Sequence, residues 1–370
     1  MTTTIFLSKK ENLFFVDGYC RKNTQNKNYI SLDLCHIILQ FFKNTLNIDF
    51  IIIFEKFEDD YVNELLCYDV KLKTKIIKDN ELWKWNMDTS YCIHETNNDC
   101  LIYRVGGQDN HNIPNIEYSM INDEHNELPL TQTKRWWNST IFNVNYGLIT
   151  IGGYNGNDGS LSSVEILNDK KEWKYLSPMN NKRRQCSSIP IENKLFVFGG
   201  WDNINLNLSE MLDLSDNNNA NNANNKNLKW MNLKNMKYAK YSIGIKYFEN
   251  KKQIILIGGY GNYAMNDEIS RSFSMFEINK NEFIEYPNTS RQHSWKPGIV
   301  IQNNNVIYVI KNHGMKNNRV EYSFGVIECY DIRDKRWFEI DELNKIFSAM
   351  NEESNNNKKE RWFQCVLNTK

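Results

Sequence analysis

The sequence has no excess of either charge: Lys+Arg and Asp+Glu both number 45 in 370 residues, so the formal net charge is zero. A neutral chain sets up no long-range field to gather nucleic acid or an anionic membrane, and sequence-independent binding to either is disfavoured. No apolar run approaches the length of a membrane span, and the start, Met1 to Glu11, lacks a basic stretch followed by a long apolar core. The expectation is a cytoplasmic chain, with the nucleus as the other compartment. The eight cysteines, Cys20, Cys35, Cys67, Cys92, Cys100, Cys186, Cys329 and Cys365, form no CxxC pair. A chain of this length has no need of disulfide staples, and they read as reduced thiols.

Catalytic signatures are missing as well. The six histidines, His36, His94, His111, His125, His293 and His313, make no HxxxH or HExxH spacing, and there is no GxSxG elbow and no phosphate-binding loop of the GxxxxGK[ST] or GxGxxG kind. No metal, no cofactor and no enzymatic activity are therefore expected.

What the sequence does have is 41% apolar and 13% aromatic residues, enough for a globular core, and a repeat. Apolar runs end in paired glycines four times: Leu101 to Gly106-Gly107, Leu148 to Gly152-Gly153, Leu195 to Gly199-Gly200, and Ile254 to Gly258-Gly259. The last interval is the longest and holds an Asn-rich tract, Asp216 to Asn227, that has no apolar periodicity and reads as an inserted loop. A second low-complexity loop spans 351–358. Each run is too short for a helix and is bounded by turn formers, which predicts a buried strand. The glycines suit a backbone that leaves the strand with positive φ or passes close to a neighbour. After each run comes a further strand, as in Val164 to Asn168, Met211 to Leu214, Phe276 to Asn279 and Tyr330 to Ile332, and then an aromatic residue opening an outer strand: Trp83, Trp173, Trp230, Phe283 and Trp337.

This pattern resembles the kelch repeat, whose unit of about 50 residues is one four-stranded propeller blade. Two further runs, Phe50 to Phe54 and Val306 to Ile310, lack the glycine pair but keep the downstream half of the unit. The resemblance thus implies an all-β fold, a six-bladed propeller with second strands starting near 50, 101, 148, 195, 254 and 306. The strands ahead of these runs share a basic or polar residue followed by an aromatic residue or Gln: Arg135-Trp136-Trp137, Arg184-Gln185-Cys186, Tyr238-Ala239-Lys240 and Arg291-Gln292-His293. The first blade has no such strand before it, whereas Arg361-Trp362-Phe363 has no blade after it, so the C-terminal strand is expected to close the ring. Seven blades are the alternative, if Leu13 to Gly18 is a degenerate second strand.

The organisation read from the chain is an appendage over 1–46, with an amphipathic helix over about 31–43 capped by Ser31, and a propeller over 47–370. In a four-stranded meander, the loop entering strand one and the loop leaving strand two open on the same face. That places Arg135, Trp136, Arg184, Gln185, Arg291, His293, Arg361 and Trp362 on one rim with Tyr154, Trp201 and Tyr260. Arg beside Trp and Tyr suits a protein or peptide carrying carboxylate or phosphate groups. Against this stands the use of such arginines to anchor blades through internal carboxylates. The function expected is a non-enzymatic protein-interaction module. A ubiquitin-ligase substrate receptor working through the N-terminal helix and an actin-associated protein are the alternatives, and a metal-dependent propeller enzyme is the least favoured. An iron-binding ExxxDxxxH pattern found in some plant kelch proteins fails here, because Glu95 and Asp99 are followed by Tyr103 at the histidine position.

Overall fold

A computed structural model describes residues 89–96, 100–107, 115–119, 124–215, 228–261, 266–302, 304–310, 314–316, 319–321 and 327–339, and before them the strands at 3–9, 12–18, 51–58, 61–69, 73–78 and 85–86. Six four-stranded antiparallel sheets follow one another along the chain. In the second to sixth sheets the second strands in meander order are Cys100–Val105, Gly147–Ile151, Lys194–Phe198, Gln253–Ile257 and Val306–Ile310, and in the first sheet Ile51–Glu58 is the edge strand among the described residues. All six begin within two residues of the positions read from the repeat.

In the third to sixth sheets these strands are largely apolar, without regular polar alternation, because both faces are covered. In the fourth sheet Leu195 and Val197 pack back onto Ile149, Ile151 and Val164 of the third, while Phe196 and Phe198 pack forward onto Ile254, Leu256 and Phe276 of the fifth. The fifth repeats the device: Ile255 and Ile257 meet Ile307 and Val309 of the sixth. Each such side chain, fully removed from water, contributes about 1.5–3 kcal/mol. The sheets therefore stabilise one another face to face, and the inner strands of the second to sixth, Ser90–Glu95, Ser139–Asn143, Ser187–Ile191, Gly244–Phe248 and Gly298–Gln302, lie side by side in chain order.

The outer-strand tryptophans join neighbours by a polar contact. Trp173, Trp230 and Trp337 donate their indole N–H to the carbonyls of Pro129, Ser177 and Pro287, at 2.8, 2.8 and 2.7 Å. Those carbonyls lie just beyond the outer strands of the preceding sheets. In the fifth sheet Phe283 has no N–H to offer and only packs, partly buried, on the cluster around Phe198 and Phe276.

The first sheet differs from the sequence expectation at its outer edge. Strand Tyr61–Asp69 is partnered by Lys73–Lys78 and by Trp85–Asn86, and Trp83, expected to open the outer strand, lies outside the described residues. Leu13 to Gly18 lies in a strand, Asn12–Gly18, and among the described residues it pairs with Thr3–Lys9 in a two-stranded sheet. The helix expected over 31–43, the tract 216–227, the loop 351–358 and the closing strand at Arg361 and Trp362 lie outside the described residues. The flanks of the Asn-rich tract, Ser209–Asp213 and Met231–Asn232, are the third and fourth strands of one sheet. Among the described residues no helix is long and apolar enough to cross a membrane.

Candidate functional site

The rim is built on a repeated junction between sheets. The carbonyl oxygens of Arg135, Arg183, Lys240 and His293 accept hydrogen bonds from the second glycine of the preceding sheet, Gly107, Gly153, Gly200 and Gly259, at 3.0, 2.9, 3.0 and 2.9 Å. The first glycine of each pair sits beneath the same carbonyl: a Cβ on Gly106, whose φ is +81°, would stand 2.6 Å from the Arg135 oxygen. Positive φ and close approach thus act together, which is why the pair recurs.

The side chains of the same residues turn inward. Arg135 is buried, forms an ion pair with Glu165 on the third strand of its own sheet and donates to the Gly152 carbonyl at 2.8 Å. Arg183 does the same with Glu210 and the Gly199 carbonyl at 2.7 Å, and His293 Nε2 lies 2.6 Å from Glu328. Each carboxylate also accepts from the loop entering its sheet: Glu165 from the amides of Gln132 and Thr133, Glu210 from the Asn180 amide, Glu328 from those of Ser290 and Arg291. Burial alone would raise Glu328, but His293 and the two amides outweigh it and hold the carboxyl below the usual carboxylate range.

This corrects the rim drawn from the sequence. Arg135 and His293 belong to the junctions and are closed to solvent, because their carbonyls and side chains are both spent on the frame. Arg291, two residues ahead of His293, is exposed and pairs with Glu339 on an outer strand, at 2.9 Å. The true repeat is a basic residue, a second residue and a residue of positive φ: Arg135-Trp136-Trp137, Arg183-Arg184-Gln185, Lys240-Tyr241-Ser242 and His293-Ser294-Trp295, the second residue being half-buried on the rim in the first three and fully buried in the last. Arg184 therefore corresponds to Trp136 rather than to Arg135.

The residues of positive φ form a backbone belt. Trp137, Gln185, Ser242 and Trp295 have φ of 54°, 52°, 52° and 66°. Gln185 N–H donates to the Trp137 carbonyl at 2.7 Å, Ser242 N–H to Gln185 at 2.9 Å and Lys296 N–H to Ser242 at 2.7 Å. A left-handed non-glycine residue costs of order 1–3 kcal/mol, and it persists where surrounding structure fixes it. Here the belt fixes it, and the result is a rigid platform for the side chains above.

On that platform Trp136, Arg184 and Tyr241 each bridge to the residue after a glycine pair, Tyr154, Trp201 and Tyr260. Trp136, Trp137 and Tyr154 form one ring cluster, with centroids 5.2–6.4 Å apart. Tyr241, Tyr260 and Trp295 form another, over 5.2–6.4 Å. Between them the Arg184 guanidinium carbon lies 3.9 Å from the Trp201 ring centroid, 4.5 Å from that of Tyr154 and 4.7 Å from that of Trp137. Trp136, Arg184, Gln185, Tyr154, Trp201 and Tyr260 are all half-buried on this surface, and the structure brings them together with Trp137, Tyr241 and Trp295, which sequence reasoning left out of the site. The signal for those three was their place one or two residues after the junction cation, visible only once the register is right.

Among the described residues no group of His, Cys, Asp and Glu is arranged to hold a metal ion. Cys92, Cys186 and Cys329 are free and buried, and burial pushes all three thiols up, which keeps them protonated.

Compared with known families, residues 138–180 match the Kelch motif. The match covers the third sheet, and the other four-stranded antiparallel sheets are consistent with further copies. No curated protein matches the chain.

Proposed function

We propose that this chain, a kelch-repeat protein, is a non-catalytic binding module that presents the aromatic rim between its third and sixth sheets to a protein partner. The observation that carries the reading is the half-exposed group Trp136, Trp137, Tyr154, Arg184 and Trp201, held on residues of strained backbone. Tryptophan, tyrosine and arginine are the side chains that dominate protein interfaces, because each combines a large apolar face with a polar edge. A folded core does not require so many of them half in water. Propellers of kelch blades commonly bind proteins, which agrees with this use of the rim. A cytoplasmic location is part of the proposal, and the three free, buried thiols among the described residues agree with it.

The test is proximity labelling in the native cell with the full chain, followed by affinity capture with a double variant, Trp136→Ala with Trp201→Ala. Truncating two such residues is expected to weaken capture by at least ~30-fold, the equivalent of about 2 kcal/mol for a single interface anchor. Circular dichroism should show the variant still folded. An unchanged set of captured partners from the folded variant would refute the rim as the binding surface.

A further inference from the structure

We propose that the fifth sheet holds a site for one small monovalent anion, chloride, at the place where the neighbouring sheets use a carboxylate of their own. The site is independent of the rim's binding a partner. In the third, fourth and sixth sheets Glu165, Glu210 or Glu328 joins the junction cation to the loop two and three residues ahead of it, through Gln132 and Thr133, Asn180 and Asn181, or Ser290 and Arg291. The fifth sheet keeps this frame and lacks the carboxylate. Its entering loop is pinned at the same two points as its neighbours: Met236 N–H donates to the Asn207 carbonyl at 2.8 Å and Lys240 N–H to that of Leu206 at 3.0 Å, just as Met179 and Arg183 donate to Ser162 and Leu161, and Thr289 and His293 to Arg271 and Ser270. Lys237 and Tyr238 therefore stand where Ser290 and Arg291 stand in the sixth sheet. Their backbone N–H groups have no acceptor among the described residues, and the register position of the glutamates is held by Ser274, which has no carboxyl group.

Lys240 supplies the charge. Its buried ammonium has three donors and, among the described residues, one hydrogen bond, to the Ser272 hydroxyl, which passes its own proton to the Ile269 carbonyl at 2.6 Å. A buried cation beside two backbone amides is a set of donors of one sign, and such a set binds anions. The surroundings limit what fits. Glu285, opposite Ser274 on the exposed outer strand, lies within electrostatic reach of Lys240, while the side chains of Lys237 and Tyr238 both turn to Glu268. With those carboxylates close by, one ammonium balances a single negative charge, and a phosphate or sulfate dianion is repelled and costs more to desolvate. The Lys240 carbonyl accepts from Gly200 and the next residue, Tyr241, stacks on Tyr260, so the anion ties the junction of the fourth and fifth sheets to the chloride concentration.

The experiment is urea unfolding of the full chain at pH 7 in sodium chloride against sodium gluconate, at constant ionic strength, for wild type, Ser274→Glu and Lys240→Met. Raising chloride from about 1 to about 100 mM should lower the wild-type unfolding constant ~10-fold, as for a site half-filled near ~10 mM. Neither variant should respond, because one brings its own carboxylate and the other removes the cation. The wild-type response should fade at pH 9.5, where Lys240, pulled down by burial to about 8, has lost its charge. Crystals of wild type grown in bromide give a second readout that needs no variant to fold: an anomalous peak is expected within hydrogen-bonding reach of Lys240 Nζ and the amides of Lys237 and Tyr238. An equal chloride response in all three proteins is a general salt effect and overturns the site. So does a wild-type chain indifferent to chloride, or bromide density that is absent beside Lys240.

Discussion

Replacing Glu210 with alanine is expected to cost about 3–5 kcal/mol of stability, the loss found when one member of a buried ion pair is removed. Glu210 is closed to solvent, and its carboxylate holds the Arg183 guanidinium, the Asn180 amide at 2.7 Å and the Asn181 side chain at 2.9 Å. The alanine variant strands a charge where water cannot reach it, and it also releases the loop that enters the fourth sheet. Because the Arg183 carbonyl is the acceptor for Gly153, the junction to the third sheet loosens with it. Urea unfolding of wild type and variant measures the difference. Replacing both partners, Arg183→Met with Glu210→Leu, should be less damaging than Glu210→Ala alone, since no charge is then buried unpaired. A single-variant loss under about 1 kcal/mol would mean that the pair does not hold the junction.

The parts of the fold legible in the sequence are those enforced by neighbours in the chain. A short apolar run ended by two glycines is a local statement: the strand is covered on both faces, and the backbone then passes under a carbonyl where no Cβ fits. The outer-strand tryptophans were legible for a similar reason, since their indole donates to the carbonyl that closes the preceding sheet, one full repeat away. The register of the rim was not legible. Lys182-Arg183-Arg184 offers three cations in a row, and the one that turns inward is selected by Glu210, a residue 27 positions further on. Likewise Arg291 looks like a rim cation until Glu328 is seen to take the His293 ring instead. Which rings surround Arg184 was hidden for a further reason, because Trp137 and Tyr154 come from the sheet before it.

The fifth sheet departs from this scheme, and the second large effect is expected there. At the position of Glu165, Glu210 and Glu328 it has Ser274, so among the described residues Lys240 meets no carboxylate within ion-pair distance, and its ammonium donates to the Ser272 hydroxyl at 2.8 Å. Lys240 is 2% exposed, and burial pulls it down to about 8, with Glu285 opposing the shift only in part. Its folded value thus lies below the unfolded value of about 10.4. Between the two, the unfolded chain binds more protons than the folded one, so stability rises with pH; below about 8 the penalty of a buried charge is present in full. The swing attributable to Lys240 is at most about 3 kcal/mol. Lys240→Met fills the site without a charge, and at pH 7 it should be as stable as wild type or more so. Urea midpoints at pH 7 and pH 9.5 separate the cases. Wild type should gain on the variant as pH rises, while tyrosines that titrate near the upper end affect both proteins alike. Parallel pH profiles would show that Lys240 carries no such penalty and that Glu285 balances it after all.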